Sequence, residues 1–411
     1  RTNGDDEPFG VTRPLFSVRG LATARPAPSL TSIHEAIRPI LDRLREDARE
    51  RDASRIGFPR EIHELAQAGV ALIRVHPENG GAGGSYRDLV EFIIEVARAD
   101  SNVAQALRPT WLTADALARP VSTVELERLR ERVLRGDLFS GTRNEVGVPS
   151  GAVTTTLTRR EGGGFWLDGQ KFYSTGGIYA DWFSGSATTE EGEIVSVSVP
   201  TAREGVEMID DYDGVGQRLT ASGTTRLTRV AVSDDEVTRT ALDAEPAFNP
   251  LAQLHLAATV AGIAQAVLDD AVRFAREIAR PIKHSTATAA VDDPYVRRTV
   301  GEISSRALTA RAVVLEAATA LDAAVDRGRE ARVAATITVA EAQVAAVRAT
   351  LDAAQHLFEV GSGSATLRVH GLDRHWRNAR TVANHNPVDW KAAVVGEHRL
   401  TGAEPPSTGL F

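Results

Sequence analysis

The stretch Arg377-Asn378-Ala379-Arg380-Thr381-Val382-Ala383-Asn384-His385-Asn386-Pro387-Val388-Asp389-Trp390-Lys391 gathers two arginines, an imidazole, three amides and a lysine. Guanidinium forks bind phosphate or carboxylate oxygens in pairs of hydrogen bonds. Imidazole moves protons near neutrality, whereas an amide accepts none, so Asn386 cannot serve as a base. Other arrangements are weaker. Pro77-Glu78-Asn79-Gly80-Gly81-Ala82-Gly83-Gly84 is glycine-rich but lacks the Lys-Ser/Thr of a P-loop, and reads as a flexible helix connection. His370 and His375 are not spaced to share a helix face, no His-Glu-x-x-His occurs, and there is no Gly-x-Ser-x-Gly elbow. No Gly-x-Gly-x-x-Gly follows a strand, so the chain has no nicotinamide site of its own. The absence of cysteine excludes disulfides, thiolate metal sites, iron–sulfur clusters and a cysteine nucleophile.

The surroundings are those of an enzyme-sized soluble chain. Its 411 residues carry a net charge of −8, with no basic block to hold nucleic acid or an anionic membrane. No uninterrupted apolar run approaches the ~20 residues that span a bilayer, and no signal peptide is evident. We expect a cytoplasmic protein without nucleic-acid or membrane partners. Residues 1–30, rich in Gly and Pro, read as a flexible tail. Helical periodicity begins with Ile33, Ile37, Ile40, Leu41 and Leu44 and recurs near 61–68 and 87–99. The middle changes to short alternating strands around 152–158, 165–173, 194–199 and 224–232. From Leu256 the helical period returns, and two further Ala-rich helices follow near 295–327 and 331–358. The expected class is α+β: a helical domain over 31–136, an antiparallel β domain over 137–240, and a helical bundle over 241–411.

That order, with its motifs, resembles the acyl-CoA dehydrogenase superfamily from about residue 33 to 406. The matches are Pro77-Glu78-Asn79-Gly80-Gly81, Asp168-Gly169-Gln170-Lys171-Phe172-Tyr173-Ser174-Thr175-Gly176, the region from Gln355 to Gly361, and Arg374, Arg377 and Arg380. The closer likeness is to its flavin-dependent monooxygenase branch. It rests on the 377–391 stretch, Gly216-Gln217-Arg218-Leu219-Thr220-Ala221-Ser222-Gly223-Thr224, Asp293-Pro294-Tyr295, and Gly396-Glu397-His398-Arg399-Leu400-Thr401-Gly402. Asn386 stands where we align the base glutamate of a dehydrogenase.

The resemblance implies a two-component monooxygenase of the acyl-CoA dehydrogenase fold. In such enzymes reduced FMN forms a C4a-hydroperoxide with O2, which oxygenates sulfur or nitrogen of a small organic substrate. FMN is favoured over FAD, a separate flavin reductase supplies it reduced, and the assembly is a homotetramer whose flavin sites draw on adjacent subunits. His385 is the implied catalytic group, Thr175 borders the flavin with Ser174 beside it, and Thr142 lies at the flavin edge where relatives carry an amide. Arg276, Arg280 and Lys283 match the phosphate-binding place, with Arg374 and Arg377 as further candidates. Thr110 replaces a histidine of the branch, so Arg108, Thr110 and Trp111 are candidates for a remodelled substrate pocket. Two alternatives stay open: dehydrogenation with a glutamate from another helix, and a non-catalytic scaffold.

Overall fold

The computed structural model describes residues 27–149, 151–239, 248–407 and 411. Most of the expected tail therefore lies outside the described residues. Ser29 already caps the first helix, α1 (Leu30–Ser54), in a reciprocal capping box with Ser32. α2 (Pro59–Gln67), α3 (Tyr86–Ala99), α4 (Ser101–Ala114) and α5 (Val124–Arg135) complete the amino-terminal helices. α4 has no apolar stripe of the usual kind and contains Pro109. It starts where it does because the Asp100 carboxylate accepts a hydrogen bond from the Asn102 amide at 2.9 Å.

The connection over 77–84 differs from the flexible one expected. The amides of Ala82, Gly83 and Gly84 donate to the carbonyls of Leu72, Val75 and Ile73, at 2.9, 2.9 and 2.7 Å. A Cβ on Gly81 would stand 2.2 Å from the Val75 carbonyl oxygen. The glycines serve close backbone packing, not mobility.

Among the described residues eight strands follow: β1 (Phe139–Thr142), β2 (Thr156–Arg159), β3 (Phe165–Lys171), β4 (Trp182–Thr189), β5 (Ile194–Pro200), β6 (Val206–Met208), β7 (Thr225–Val232) and β8 (Val237–Thr238). They form one sheet in the order β6-β7-β3-β2-β4-β5-β8, with β1 also on β4. The sheet is mixed where an antiparallel one was expected, because β4 pairs in parallel with both β1 and β2. Its inner face is the cluster of Leu157, Phe165, Leu167, Phe183, Val197 and Val230. Lys171 is wholly buried in the sheet and pairs with Glu145, whose carboxylate also accepts from Thr154 and Thr155. That network holds Glu145, Thr154 and Thr155 onto β3.

The carboxy-terminal part consists of α6 (Pro250–Glu277), α7 (Pro294–Ala324), α8 (Gly328–His356), α9 (Asp373–Ala383) and α10 (Val388–Thr401). α6 is apolar and long enough to cross a membrane by composition alone, but 83% of its most apolar window is buried inside the protein. It packs on α3, α4, α7, α8 and α9 and is the axis of the molecule. Small residues allow this crowding: a Cβ on Gly262 would fall 2.4 Å from the Ala97 side chain.

Candidate active site

Gln253 and His255 interrupt the otherwise apolar first two turns of α6, and both are buried. Two α4 residues one turn apart, Arg108 and Trp111, face them. Arg108 Nη2 donates to the Ala252 carbonyl at 3.2 Å. The Trp111 indole donates to the Val70 carbonyl at 2.7 Å, and its ring centroid lies 5.5 Å from that of His255. His255 is 1% exposed, and its ring lies within reach of the Ala104 carbonyl of α4, which favours the protonated form. Burial, reinforced by the Arg108 charge, holds this imidazole neutral, well below its ordinary pKa.

His385 occupies the turn between α9 and α10. Its Nδ1 lies 3.4 Å from Asn386 Oδ1, while Asn386 Nδ2 donates to Gln253 Oε1 at 2.6 Å and Lys391 Nζ donates to the same oxygen at 3.1 Å. Because Asn386 turns its amide nitrogen to Gln253, its oxygen faces His385. This puts the imidazole proton on Nδ1 and leaves Nε2 as an acceptor. Burial first, then the Arg108 charge, push the His385 pKa down to about 4; its contact with Asn386 acts the other way. Burial alone takes Lys391 down to about 8. The start of α6, α4 and the α9–α10 turn thus meet at one junction, the recess, at which Arg108 is half-buried and His385 exposed.

α4 joins this recess to the sheet. The Thr110 hydroxyl accepts from the Phe139 amide of β1 at 3.0 Å. Thr110 is 1% exposed, so it braces the helix against β1 and does not open onto a pocket. Beyond β1, Ser140 Oγ donates to the Ser174 carbonyl at 3.2 Å, and Gly176 passes so close to α4 that a Cβ would stand 2.7 Å from the Ala106 oxygen. Thr175, Ser222 and Thr220 form a chain of buried hydroxyls at 3.0 and 2.8 Å. Ser174 Oγ accepts from Thr225 at 2.6 Å and is fully buried. Thr142 ends β1 half-buried, and its hydroxyl accepts from the Asn144 amide at 3.0 Å. Between these elements Tyr173 holds a left-handed backbone, φ 59°, with its ring 53% exposed. A strained, exposed aromatic beside a hydroxyl chain is fitted to stack on a planar ring and hydrogen-bond its edge.

The cations divide into two sets. Arg374 donates to Asp270 at 2.7 Å, and Asp270 also holds His375 at 2.8 Å. Arg377 binds Asp52 of α1 and Asp373, at 2.6 and 2.7 Å, and the Val215 carbonyl at 3.1 Å. Both guanidinium groups are occupied in holding α9 to α6 and α1. Arg377 is thereby tied up and does not stand open to a phosphate, unlike the expectation for it, whereas Arg374, though paired, borders a cavity with Arg45, Arg49 and Arg273. Arg276 closes α6, and Arg280 and Lys283 follow it; all three are exposed and none makes an ion pair among the described residues. From His255 to Arg276 the helix runs about 30 Å at its usual rise. A single copy of the chain does not bring these cations to the His385 recess.

His255 and Gln253 were not among the site residues expected from sequence, whereas Tyr173 stands in the 168–176 motif whose aromatic and Thr border the flavin in the family. The available signal was the pair of polar residues breaking an apolar helical run.

Comparison with known proteins agrees with this geometry. Residues 30–136 match the model of the acyl-CoA dehydrogenase N-terminal domain, and residues 254–390 that of the acyl-CoA dehydrogenase C-terminal domain. The dibenzothiophene monooxygenase of Mycolicibacterium goodii is 31% identical over 382 residues, covering 87% of this chain and 90% of that one. The chain belongs to the acyl-CoA dehydrogenase superfamily, in its flavin-dependent monooxygenase branch. A probable FMNH2-dependent monooxygenase of Pseudomonas putida is 30% identical, over 92% of this chain and 96% of its own. The crystal structure of TdsC from Paenibacillus sp. A11-2 with FMN and indole superposes with a TM-score of 0.83 at 27% identity, covering 92% and 99% of the two chains. The residues present fit a flavin: Tyr173 offers a ring face, Thr175 a hydroxyl, and Arg276, Arg280 and Lys283 unpaired positive charge for a phosphate.

Proposed function

We propose that the chain oxygenates a sulfur or nitrogen atom of a small organic molecule, using O2 and reduced FMN supplied by a separate flavin reductase. One observation carries this choice over dehydrogenation. Among the described residues no carboxylate pairs with Arg108 or lies within hydrogen-bonding reach of His255 or His385. Where an α-proton would have to be removed, the recess presents the amide of Asn386 and an imidazole too weakly basic for the task. Oxygen transfer to a lone pair needs no such base.

Bound reduced FMN supplies the two electrons that activate O2. The chain's own part is to bind, exclude water and place a proton. Trp111 and the α4–α6 contact close the inner end of the recess to solvent. His385, neutral at physiological pH and with its Nδ1 proton fixed by Asn386, offers Nε2 as an acceptor that can take up and return a proton. Lys391 and Gln253 keep Asn386 in that orientation.

The exposed cations of α6 support a further element of the proposal. Arg276, Arg280 and Lys283 lie too far from His385 to share one FMN within a chain, so they are assigned to the flavin phosphate of an adjacent copy in a homotetramer. Thr175 and Tyr173 hold the ring within each copy.

The test begins without oxygen. Purified protein should quench FMN fluorescence on binding, and acyl-CoA thioesters should leave the bound oxidised flavin coloured under nitrogen. With reduced FMN and air, a thioether or amine substrate should then be oxygenated. Bleaching of the flavin by a thioester under nitrogen would make the chain a dehydrogenase instead.

A further inference from the structure

Phe411 is 7% exposed, and its ring lies over the side chain of Lys391, with Nζ 4.5 Å from the ring centroid. Lys391 is itself 2% exposed, so the contact is out of water, where the attraction between a cation and a ring face is strongest. Only three of the 47 lysines and arginines in the chain are lysine, and the other cation–ring contacts of the described residues all use arginine. An ammonium is the more compact head, and it suits a space closed on one side by a ring face and on another by an amide oxygen.

That amide is Gln253. Lys391 Nζ donates to its Oε1 at 3.1 Å, and the same oxygen accepts from Asn386 Nδ2 at 2.6 Å. An ammonium accepts no hydrogen bond, so it holds Gln253 with the oxygen toward it. Asn386 meets that oxygen through its nitrogen and turns its own oxygen to Nδ1 of His385, at 3.4 Å. Contacts thus run from Phe411 through α10 and α6 to the α9–α10 turn, and each amide is left one orientation. Arg108 of α4 and Lys391 both disfavour a charge on His385. What this imidazole offers therefore depends on which nitrogen carries its one proton. α8 also packs on α10, and its Glu341 is paired with Arg399, away from this chain of contacts.

We propose that Phe411 is a positioning residue of the active site: its ring seats the Lys391 ammonium against Gln253 and thereby holds the His385 proton on Nδ1, leaving Nε2 as the acceptor. The assignment rests on the monooxygenase reading, in which Nε2 takes up and returns a proton, and deepens it. Without the ring, water reaches the ammonium and competes with Gln253 for its donors. Both amides are then free to turn, and the His385 proton spreads over the two ring nitrogens. An imidazole in the wrong tautomer presents N–H where an acceptor is needed.

The tautomer can be read directly. In FMN-loaded protein labelled with 15N at histidine, the His385 signals are those lost in His385→Phe, and their shifts show which nitrogen is protonated. Wild type should show Nδ1–H alone, as should Phe411→Tyr, which keeps the ring face. Phe411→Ala and Lys391→Met should show both tautomers, with kcat for a thioether lowered at least about tenfold and KM little changed. Unaltered quenching of FMN fluorescence checks that each variant is folded. A wild-type proton on Nε2, the same tautomer in Phe411→Ala as in wild type, or a change confined to KM would overturn the assignment. Incubation with reduced FMN and O2 separates it from the reading beneath it. If Phe411→Ala mixes the tautomers yet wild type oxygenates neither thioether nor amine, the positioning role stands and the monooxygenase reading fails. If wild type and Phe411→Ala oxygenate with equal kcat, the monooxygenase reading stands and the positioning role falls.

Discussion

Arg108 of α4 donates at 3.2 Å to the carbonyl of Ala252, three residues before His255 on the same face of α6. This contact ties together the two helices that form the inner wall of the recess and places a charge beside two imidazoles. It explains why both are held neutral: each is crowded by protein, and each feels the same guanidinium.

His385→Phe removes the acceptor nitrogen while keeping bulk at the turn. We expect oxygenation to fall by about 100-fold, the lower end of what a positioned proton carrier contributes. FMN affinity, read by fluorescence quenching, should be unchanged. Unaltered turnover would take His385 out of the chemistry.

With His385 at about 4, its neutral form persists through the physiological range. A profile of kcat/KM against pH should be level from about 8 down to about 5.5 and decline only as pH nears 4. An inflection at the ordinary imidazole value of about 6.5 would mean that the recess is open to water.

The same shifts affect stability. The folded-state pKa values of His255 and His385 lie below the unfolded value of about 6.5, so between the two the unfolded chain binds more protons. Stability is unaffected by these groups above about pH 6.5 and falls as pH drops from there toward about 4. His255→Gln should flatten this decline in a series of Tm measurements between pH 7 and 5.

Gly176→Ala places a methyl 2.7 Å from the Ala106 oxygen at a backbone φ of 77°. A cost of about 1–3 kcal/mol is expected from strain alone. The loop carrying Thr175 must then shift away from α4, so FMN binding should weaken along with Tm.

The two arginine sets make opposite predictions. Arg377→Met leaves the Asp52 carboxylate, 9% exposed, without its best partner and should destabilise the fold by about 1–3 kcal/mol. FMN affinity of the surviving folded protein should change little. Removing Arg280 and Lys283 together should instead weaken FMN binding at least about tenfold, in a salt-dependent way, with Tm of the flavin-free protein retained.

The long helices of the bundle were legible because apolar residues recur at helical spacing, and β5 and β7 because they alternate. α4 was not: Pro109 and its mixture of Ser, Asn, Gln and Thr conceal a helix that is buried on several sides. Strand order was beyond reach, since the parallel pairing of β4 with β1 and β2 depends on crossovers rather than on local pattern. Arg374 and Arg377 looked open because their partners, Asp270 and Asp52, lie 104 and 325 residues away in sequence. The motif singles out His385, but the low pKa of its imidazole comes from crowding by protein and from Arg108 of another helix. His255 was hidden by the apolar run around it.

The most direct test is the source of the inserted oxygen. Protein, reduced FMN and a thioether incubated under 18O2 in ordinary water should give a sulfoxide carrying one labelled oxygen by mass spectrometry, and none with FMN omitted. An unlabelled oxygen, or an unsaturated product with no oxygen added, would contradict a monooxygenase.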